Sequence, residues 1–157
     1  MHRIRAYIDN SVISGTQDEE FADASLRFFQ LVRRGEFLVL VSPVTFRELG
    51  RAPGTVREFW GSVPPDCVEE VPVNVEVDAL AEQYVRAGVL GRASTEDALH
   101  VAAATVAGAD LILSWNFGDI VNFNRITGFN GVNVMNGYRS MTILSPREVG
   151  HEEHEDL

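Results

Sequence analysis

Residues 4–13, IRAYIDNSVI, run from a short apolar segment directly into a carboxylate. Apolar residues at positions 4, 6 and 8 alternate with their neighbours, a pattern that is typical of a β-strand. Asp9 follows at once. In α/β proteins, ligands bind beyond the carboxyl ends of the parallel strands, which makes Asp9 a candidate functional residue. The alternative is that Asp9 only caps a helix, since Asp-Asn-Ser supplies good cap residues.

The rest of the chain alternates short apolar runs with amphipathic segments. We predict strands at 4–8, 37–41, 68–73, 110–115 and 141–146. We predict helices at 18–34, 44–53, 56–65, 75–89 and 94–110. The pattern indicates an α/β fold with three layers, in which a mainly parallel twisted sheet is flanked by helices. Residues 1–148 are expected to form one domain and the acidic tail 149–157 to be disordered.

Composition restricts the cellular compartment and the reaction types that we expect for this chain. The chain has 157 residues, 45% of them hydrophobic, and a single cysteine, Cys67, so no intramolecular disulfide can form. We find no signal peptide and no apolar run long enough to span a bilayer, and we expect a cytoplasmic protein with no membrane association. All 13 basic residues are Arg, which excludes a P-loop lysine and Schiff-base chemistry.

Polar side chains recur near the predicted strand ends and helix starts. The candidates are Asp9, Glu48, Asp97 and Asn116. If the strands are parallel, these positions converge on one edge of the sheet. Gathered carboxylates must pair with Arg, bind a divalent cation or become protonated. Mg²⁺ prefers oxygen ligands and can assist phosphodiester hydrolysis. With a net charge of −10, binding of nucleic acid would require such cations or a local Arg cluster.

Structural roles are also compatible with these residues. Glu48 could be a solvated helix charge with Arg51 three residues later. Asp97 could close a capping box that begins at Ser94. His100, three residues after Asp97, is expected to be a core or partner residue more readily than a site residue.

Four segments, taken in order, resemble the PIN domain, the metal-dependent nuclease fold of VapC-type toxins and other RNA-processing nucleases. They are AYIDNSVIS (6–14), SPVTFRELGR (42–51), STEDALHVAAA (94–104) and ADLILSWNFGDIVN (109–122). The resemblance covers about residues 4–145. It implies a divalent-metal-dependent endoribonuclease with Mg²⁺ or Mn²⁺ at clustered acids, hydrolysing RNA with a metal-activated water.

Matched position by position, the resemblance makes Asp9, Glu48 and Asp97 the three metal-binding acids. A fourth acid is common in the family, but here that position is Asn116, which carries no charge. Asp119 is an alternative ligand nearby. One alternative function is therefore a PIN-fold binding module with weak or no catalysis, and another is an RNA-processing nuclease that is not a toxin.

A phosphoryl-accepting domain also places an Asp after its first strand. It fits poorly, because receiver domains use a lysine and the phosphatase pattern needs an acid where Ser11 stands.

The resemblance further implies partners: an RNA substrate, a cognate antitoxin protein and a second copy of the chain in a homodimer. The apolar helix at 21–32 is a candidate surface for the last two. Residues 117–139, rich in Asn, Gly and aromatics, are predicted to be a long loop that either stacks on single-stranded bases or packs onto the core.

Overall fold

A five-stranded parallel sheet forms the centre of the described chain, which in this computed structural model comprises residues 2–150. The strands are β1 (Ile4–Ile8), β2 (Phe37–Val41), β3 (Val68–Glu70), β4 (Leu111–Leu113) and β5 (Thr142–Leu144). Their order is β3-β2-β1-β4-β5, and every neighbouring pair is parallel. The opening stretch of the sequence therefore provides the central strand, which has a partner on each side.

Helices cover both faces of this sheet. They are α1 (Asn10–Gly15), α2 (Ala22–Arg33), α3 (Pro43–Gly50), α4 (Gly54–Gly61), α5 (Val75–Arg86), α6 (Thr95–Val106), α7 (Phe123–Met135) and α8 (Arg147–Gly150). Short 3₁₀ helices lie at Pro65–Cys67 and Arg92–Ser94. The positive φ angle of Gly108, 71°, ends α6 in a conformation that favours glycine. Helices α2 to α6 confirm, in order, the helices predicted at 18–34, 44–53, 56–65, 75–89 and 94–110, and each observed helix is shorter than its prediction.

Two apolar cores lie on opposite faces of the sheet. Tyr7 of β1 packs with α5, α6 and α7, whereas Ala6 and Ile8 pack with the α1–α4 side. Successive side chains of a strand point to opposite faces, so the part of a central strand that is covered on both sides is apolar at consecutive positions. This packing explains why Ala6, Tyr7 and Ile8 are all fully buried.

The prediction of a loop over 117–139 is wrong, because thirteen of these residues form α7. Asn122 caps the helix by accepting a hydrogen bond from the Arg125 N–H. Phe129 and Val132 are buried against α5, and this packing outweighs the weak helix propensity of the Asn and Gly residues. Phe123, at the start of α7, is 81% exposed.

Helix α7 is tied to the core by a buried polar contact. The Tyr84 hydroxyl donates to Asn133 Oδ1, and both side chains are fully buried. Replacing Asn133 with Ala removes the acceptor of that buried hydroxyl and leaves Thr105 as a hydrogen-bonding neighbour. We expect the free energy of unfolding in urea to fall by about 2 kcal/mol. The exposed Asn124→Ala change on the same helix is the control, and an equal effect of both changes would contradict this role of Asn133.

The acidic tail predicted at 149–157 lies almost entirely outside the described residues, which end within α8 at position 150. Among the helices of residues 2–150, none combines the length and apolar character needed to cross a bilayer.

Candidate active site

Asp9 lies at the end of β1 and starts α1, so its backbone is fixed by both elements. Its Oδ1 accepts hydrogen bonds from the backbone N–H and the hydroxyl of Ser11. Its Oδ2 accepts a 2.7 Å hydrogen bond from the Ser114 hydroxyl, just beyond β4. Asp9 therefore caps α1, and a metal-binding role of the same carboxylate is compatible with this cap.

Burial raises the pKa of Asp9, since the side chain is only 5% exposed. The positive charge of His100 and the two serine hydroxyls oppose this effect without cancelling it. Asp9 is thus a carboxylate held in a defined orientation, whose negative charge the protein only partly compensates.

Glu48 projects from α3 toward the start of α1. Its Oε1 accepts a 3.1 Å hydrogen bond from the Asn10 N–H and lies 3.0 Å from His100 Nε2. The second contact has the distance of an ion pair but not the angle of a good hydrogen bond. Burial raises the pKa of Glu48, but the contact with His100 outweighs it, and the pKa is lowered overall.

The solvated-charge interpretation of Glu48 is wrong. Arg51, its supposed partner, forms a 3.0 Å ion pair with Glu96 instead. Glu48 turns inward because the start of α1 and the imidazole of His100 both offer it a donor.

His100 is fully buried and belongs to the site, which the sequence interpretation undervalued. Its Nδ1 is 2.7 Å from the Tyr7 hydroxyl, which in turn lies 2.7 Å from the Ser42 hydroxyl. Burial alone lowers the pKa of the imidazole, but the Tyr7 oxygen, Glu48 and Asp9 outweigh it and raise the pKa to about 10. His100 is therefore a positive charge inside the acidic cluster.

Asp97 lies in the first turn of α6 and is half-buried. Its pKa is raised to about 6, first by burial and then by the negative charges of Asp119 and Asp9, while His100 opposes the rise. The capping box predicted from Ser94 is wrong, because the Ser94 side chain does not cap α6 and donates to Asp119 Oδ2 instead.

Asn116 is placed between two of the acids. Its Nδ2 donates to Asp97 Oδ1 at 3.2 Å, and its Oδ1 accepts the Asp119 N–H at 2.9 Å. Asp119 also lies 3.4 Å from the Arg125 guanidinium. The amide at position 116 therefore orients Asp97, and Asp119 contributes negative charge from the next turn.

The structure thus brings all four sequence-predicted residues to the carboxyl edge of the sheet, but they do not form a finished metal cage. Among the side chains of residues 2–150, no group of three or more His, Cys, Asp or Glu is placed to hold a metal ion. Asp9 and Asp97 have the character that suits a cation, because burial first, and then neighbouring carboxylates, raise the pKa values of both groups. Mg²⁺ often binds through only one or two carboxylates, completed by waters and substrate oxygens, so the donor set fits such a site.

Sequence reasoning missed three residues that support the site: Ser114, which donates to Asp9, and Tyr7 and Ser42, which form a hydrogen-bonded chain to His100. Ser114 follows β4 directly, so the rule that led to Asp9 also applies to it. Tyr7 lies inside an apolar strand and resembles an ordinary core residue. Only its contact with His100, 93 positions later in the chain, gives it a role.

Comparisons with known proteins show similarity in structure alone. No protein-family model matches the sequence, and no curated protein matches it. A chain of VapBC2 from Rickettsia felis, solved bound to a DNA fragment from their promoter, aligns with a TM-score of 0.58 and 8% identity over 90% of this chain and 98% of that chain. A chain of FitAB bound to an IR36 DNA fragment aligns with a TM-score of 0.57 and 16% identity, over 96% and 99%.

Tyrosyl-tRNA synthetase from Aeropyrum pernix aligns with a TM-score of 0.50 and 14% identity, over 90% of this chain and 52% of that chain. At such identities the alignments show a shared fold. They confirm the α/β class, with a parallel sheet between two layers of helices, that the sequence predicts.

Proposed function

We propose that this chain is a divalent-metal-dependent endoribonuclease that hydrolyses RNA phosphodiester bonds. The observation that supports this function best is the convergence of Asp9, Glu48 and Asp97 at the carboxyl edge of a parallel sheet, where burial raises the pKa values of Asp9 and Asp97 and His100 offsets the rise only in part. Mg²⁺ or Mn²⁺ would be held by these two carboxylates, with Glu48 as the third acid. When bound, the cation would polarise the substrate phosphate and lower the pKa of a bound water.

The surrounding residues have distinct tasks in this proposal. Ser11 and Ser114 hold the two oxygens of Asp9 in place by donating hydrogen bonds. His100 and the Asn10 N–H keep Glu48 ionised and turned toward the site. Asn116 holds Asp97 through its amide N–H. Such preorganisation matters because a carboxylate displaced by 1 Å can cost about a hundredfold in rate.

We further propose that the chain is the toxin of a toxin–antitoxin pair, acting in the cytoplasm as a homodimer with a cognate antitoxin protein. The support is that VapBC2 and FitAB, both solved with promoter or IR36 DNA, contain chains of the same fold that match over nearly their whole length. Induced expression should arrest growth, and co-expression of a small neighbouring reading frame should relieve it. Growth unaffected by a cleavage-competent protein would favour an RNA-processing nuclease that is not a toxin.

The direct test is cleavage of single-stranded RNA by the purified protein. We expect cleavage with millimolar Mg²⁺ or Mn²⁺ and none after chelation by EDTA, because without the cation nothing polarises the phosphate or lowers the pKa of the attacking water. The Asp9→Asn change should abolish the activity, and circular dichroism should show that the variant is folded. Undiminished cleavage by a folded Asp9→Asn protein would remove Asp9 from the mechanism.

A second candidate function is a binding module that has this fold without the chemistry. Two observations favour it. The residue at position 116 is an asparagine whose amide N–H donates to Asp97. Within residues 2–150, no three His, Cys, Asp or Glu side chains are placed to hold a metal ion together. Isothermal titration calorimetry separates the two functions. Absence of Mn²⁺ binding at millimolar metal, in a folded protein, would favour the binding module over the nuclease.

A further inference from the structure

A cleft of about 400 Å³ adjoins the acidic site, and none of the roles described above uses it. Its lining comprises Ser11, Ser14, Gly15, Asp18, Phe21, Trp115 and Asn116. Its volume falls in the range of small-molecule sites, roughly 300–1,000 Å³. It has an aromatic side, formed by Phe21 and Trp115, and a polar side, formed by hydroxyl, amide and carboxylate groups.

The aromatic side is held by a ring stack and a buried hydrogen bond. The rings of Phe21 and Trp115 are stacked, with centroids 4.1 Å apart and planes inclined by 23°. The indole N–H of Trp115 donates a 2.8 Å hydrogen bond to the Ser25 hydroxyl. Gly15 makes this position possible, since a Cβ there would lie 2.5 Å from Ser25 Oγ and 2.8 Å from Trp115 Nε1. The sequence therefore uses a glycine to admit the indole.

The polar side connects the cleft to the acidic site without a gap. Ser11 lines the cleft and donates to Asp9 through both its backbone N–H and its hydroxyl. Asn116 also lines it and donates to Asp97. A molecule in the cleft is therefore one residue away from each of the two carboxylates proposed to hold the cation.

A positive charge lies beside the stacked rings. The Arg147 guanidinium carbon is 5.0 Å from the Trp115 centroid and 5.7 Å from that of Phe21. Because these centroids are only 4.1 Å apart, the guanidinium lies beside the pair rather than behind one ring. Aromatic rings, hydrogen-bonding groups and arginine are the groups with which proteins commonly bind single-stranded nucleic acid.

We propose that this cleft binds one nucleobase of the RNA strand whose phosphodiester is cut at the acidic site. The inference rests on the proposed nuclease function and adds a base-binding subsite to it. The Phe21–Trp115 pair contacts the base, and the neighbouring phosphate then lies toward Asp9 and Asp97. Aromatic contact with a base tolerates any sequence, so selectivity must come from the polar side.

Asp18 is the residue that gives this subsite a preference. Its Oδ1 accepts the backbone N–H groups of Glu20 and Phe21, which fixes the carboxylate at the mouth of the cleft. A carboxylate accepts hydrogen bonds and donates none. It favours a base edge with adjacent N–H donors, as guanine has, over uracil, whose single N–H stands between two carbonyl oxygens.

Binding is tested with nucleosides alone, which separates it from cleavage. The probes are guanosine, adenosine, cytidine and uridine, with ribose as the baseless control, and the readout is the NMR signal of the Trp115 indole N–H. A Trp60→Phe change identifies that signal, because the chain has only two tryptophans. We expect saturable shifts with the nucleosides, tightest for guanosine, and none with ribose.

Three variants test which residues form the subsite. Phe21→Ala and Gly15→Ala should each weaken guanosine binding at least about fivefold, by removing one ring and displacing the other. Asp18→Asn should remove the preference for guanosine over uridine. Asp23→Asn, an exposed acid at the start of α2, is the matched control and should leave that preference unchanged.

Hydrolysis of RNA and of bis(p-nitrophenyl) phosphate, a phosphodiester without bases, completes the design. Phe21→Ala should lower the ratio of kcat/KM for RNA to that for the baseless ester at least about tenfold. An unchanged ratio, or no base-dependent shift of Trp115 in a protein that hydrolyses the baseless ester, overturns the subsite and leaves the nuclease intact. Base-dependent shifts in a protein that hydrolyses neither compound support the subsite and overturn the nuclease.

Discussion

The Asp97→Asn protein should lose at least about a hundredfold in RNA cleavage and yet unfold at a higher temperature than the wild type when divalent cations are absent. The physical reason is that burial, and then the negative charges of Asp119 and Asp9, raise the pKa of Asp97 to about 6. The positive charge of His100 opposes this rise but does not cancel it. An amide keeps the shape and removes the repulsion. After discounting for its partial exposure, we expect a gain of about 1–2 kcal/mol, or roughly 3–6 °C in Tm.

Metal and pH provide the internal checks on the Asp97 prediction. Mn²⁺ should raise the Tm of the wild type but hardly that of Asp97→Asn. Because the folded pKa is raised from 3.8, the penalty is present at neutral pH and is relieved as pH falls through about 6, and the variant should lack this dependence. Asp78→Asn, an exposed acid in the first turn of α5, is the control. A variant less stable than the wild type at neutral pH, without metal, would contradict the repulsion.

The second large effect is expected at His100. Removing the imidazole with His100→Ala leaves Glu48 and the Tyr7 hydroxyl without their shared partner inside the core. We expect a loss of about 3–5 kcal/mol in the free energy of unfolding, measured in urea, because one member of a buried charged pair is left alone. The exposed His2→Ala change is the control. A loss below about 1 kcal/mol would show that the contact contributes little.

Two further measurements separate charge from packing at His100. The Glu48→Gln change in the His100→Ala background should recover part of the lost stability, since it removes the uncompensated carboxylate. In the wild type, the folded pKa of His100 is raised from 6.5 to about 10, so its contribution is complete below pH 6.5 and is lost as pH rises toward 10. The His100→Ala protein should lack this alkaline loss of stability.

Most of the fold follows from local pattern. The alternation in residues 4–8 predicted the strand, and the alternation of short apolar runs with amphipathic segments along the chain predicted a sheet between helical layers. Helix α7 did not follow, because its Asn and Gly residues favour a loop and only packing of Phe129 and Val132 against the core makes the helix stable. Local propensity therefore fails to predict a helix where burial of apolar side chains compensates for weak helix propensity.

For the candidate site, too, the sequence predicted one part and only the tertiary structure decided the other. The sequence by itself placed Asp9, Glu48, Asp97 and Asn116 near one edge, because the carboxyl ends of parallel strands share that edge. The tertiary structure alone decided their states: Glu48 is paired with His100, Asp97 is crowded by other carboxylates, and Asn116 holds Asp97. The pattern that predicts a strand involves residues only two positions apart. The charge of a buried group depends instead on its burial and on partners that can be distant in sequence, such as Tyr7 and His100, which are 93 positions apart.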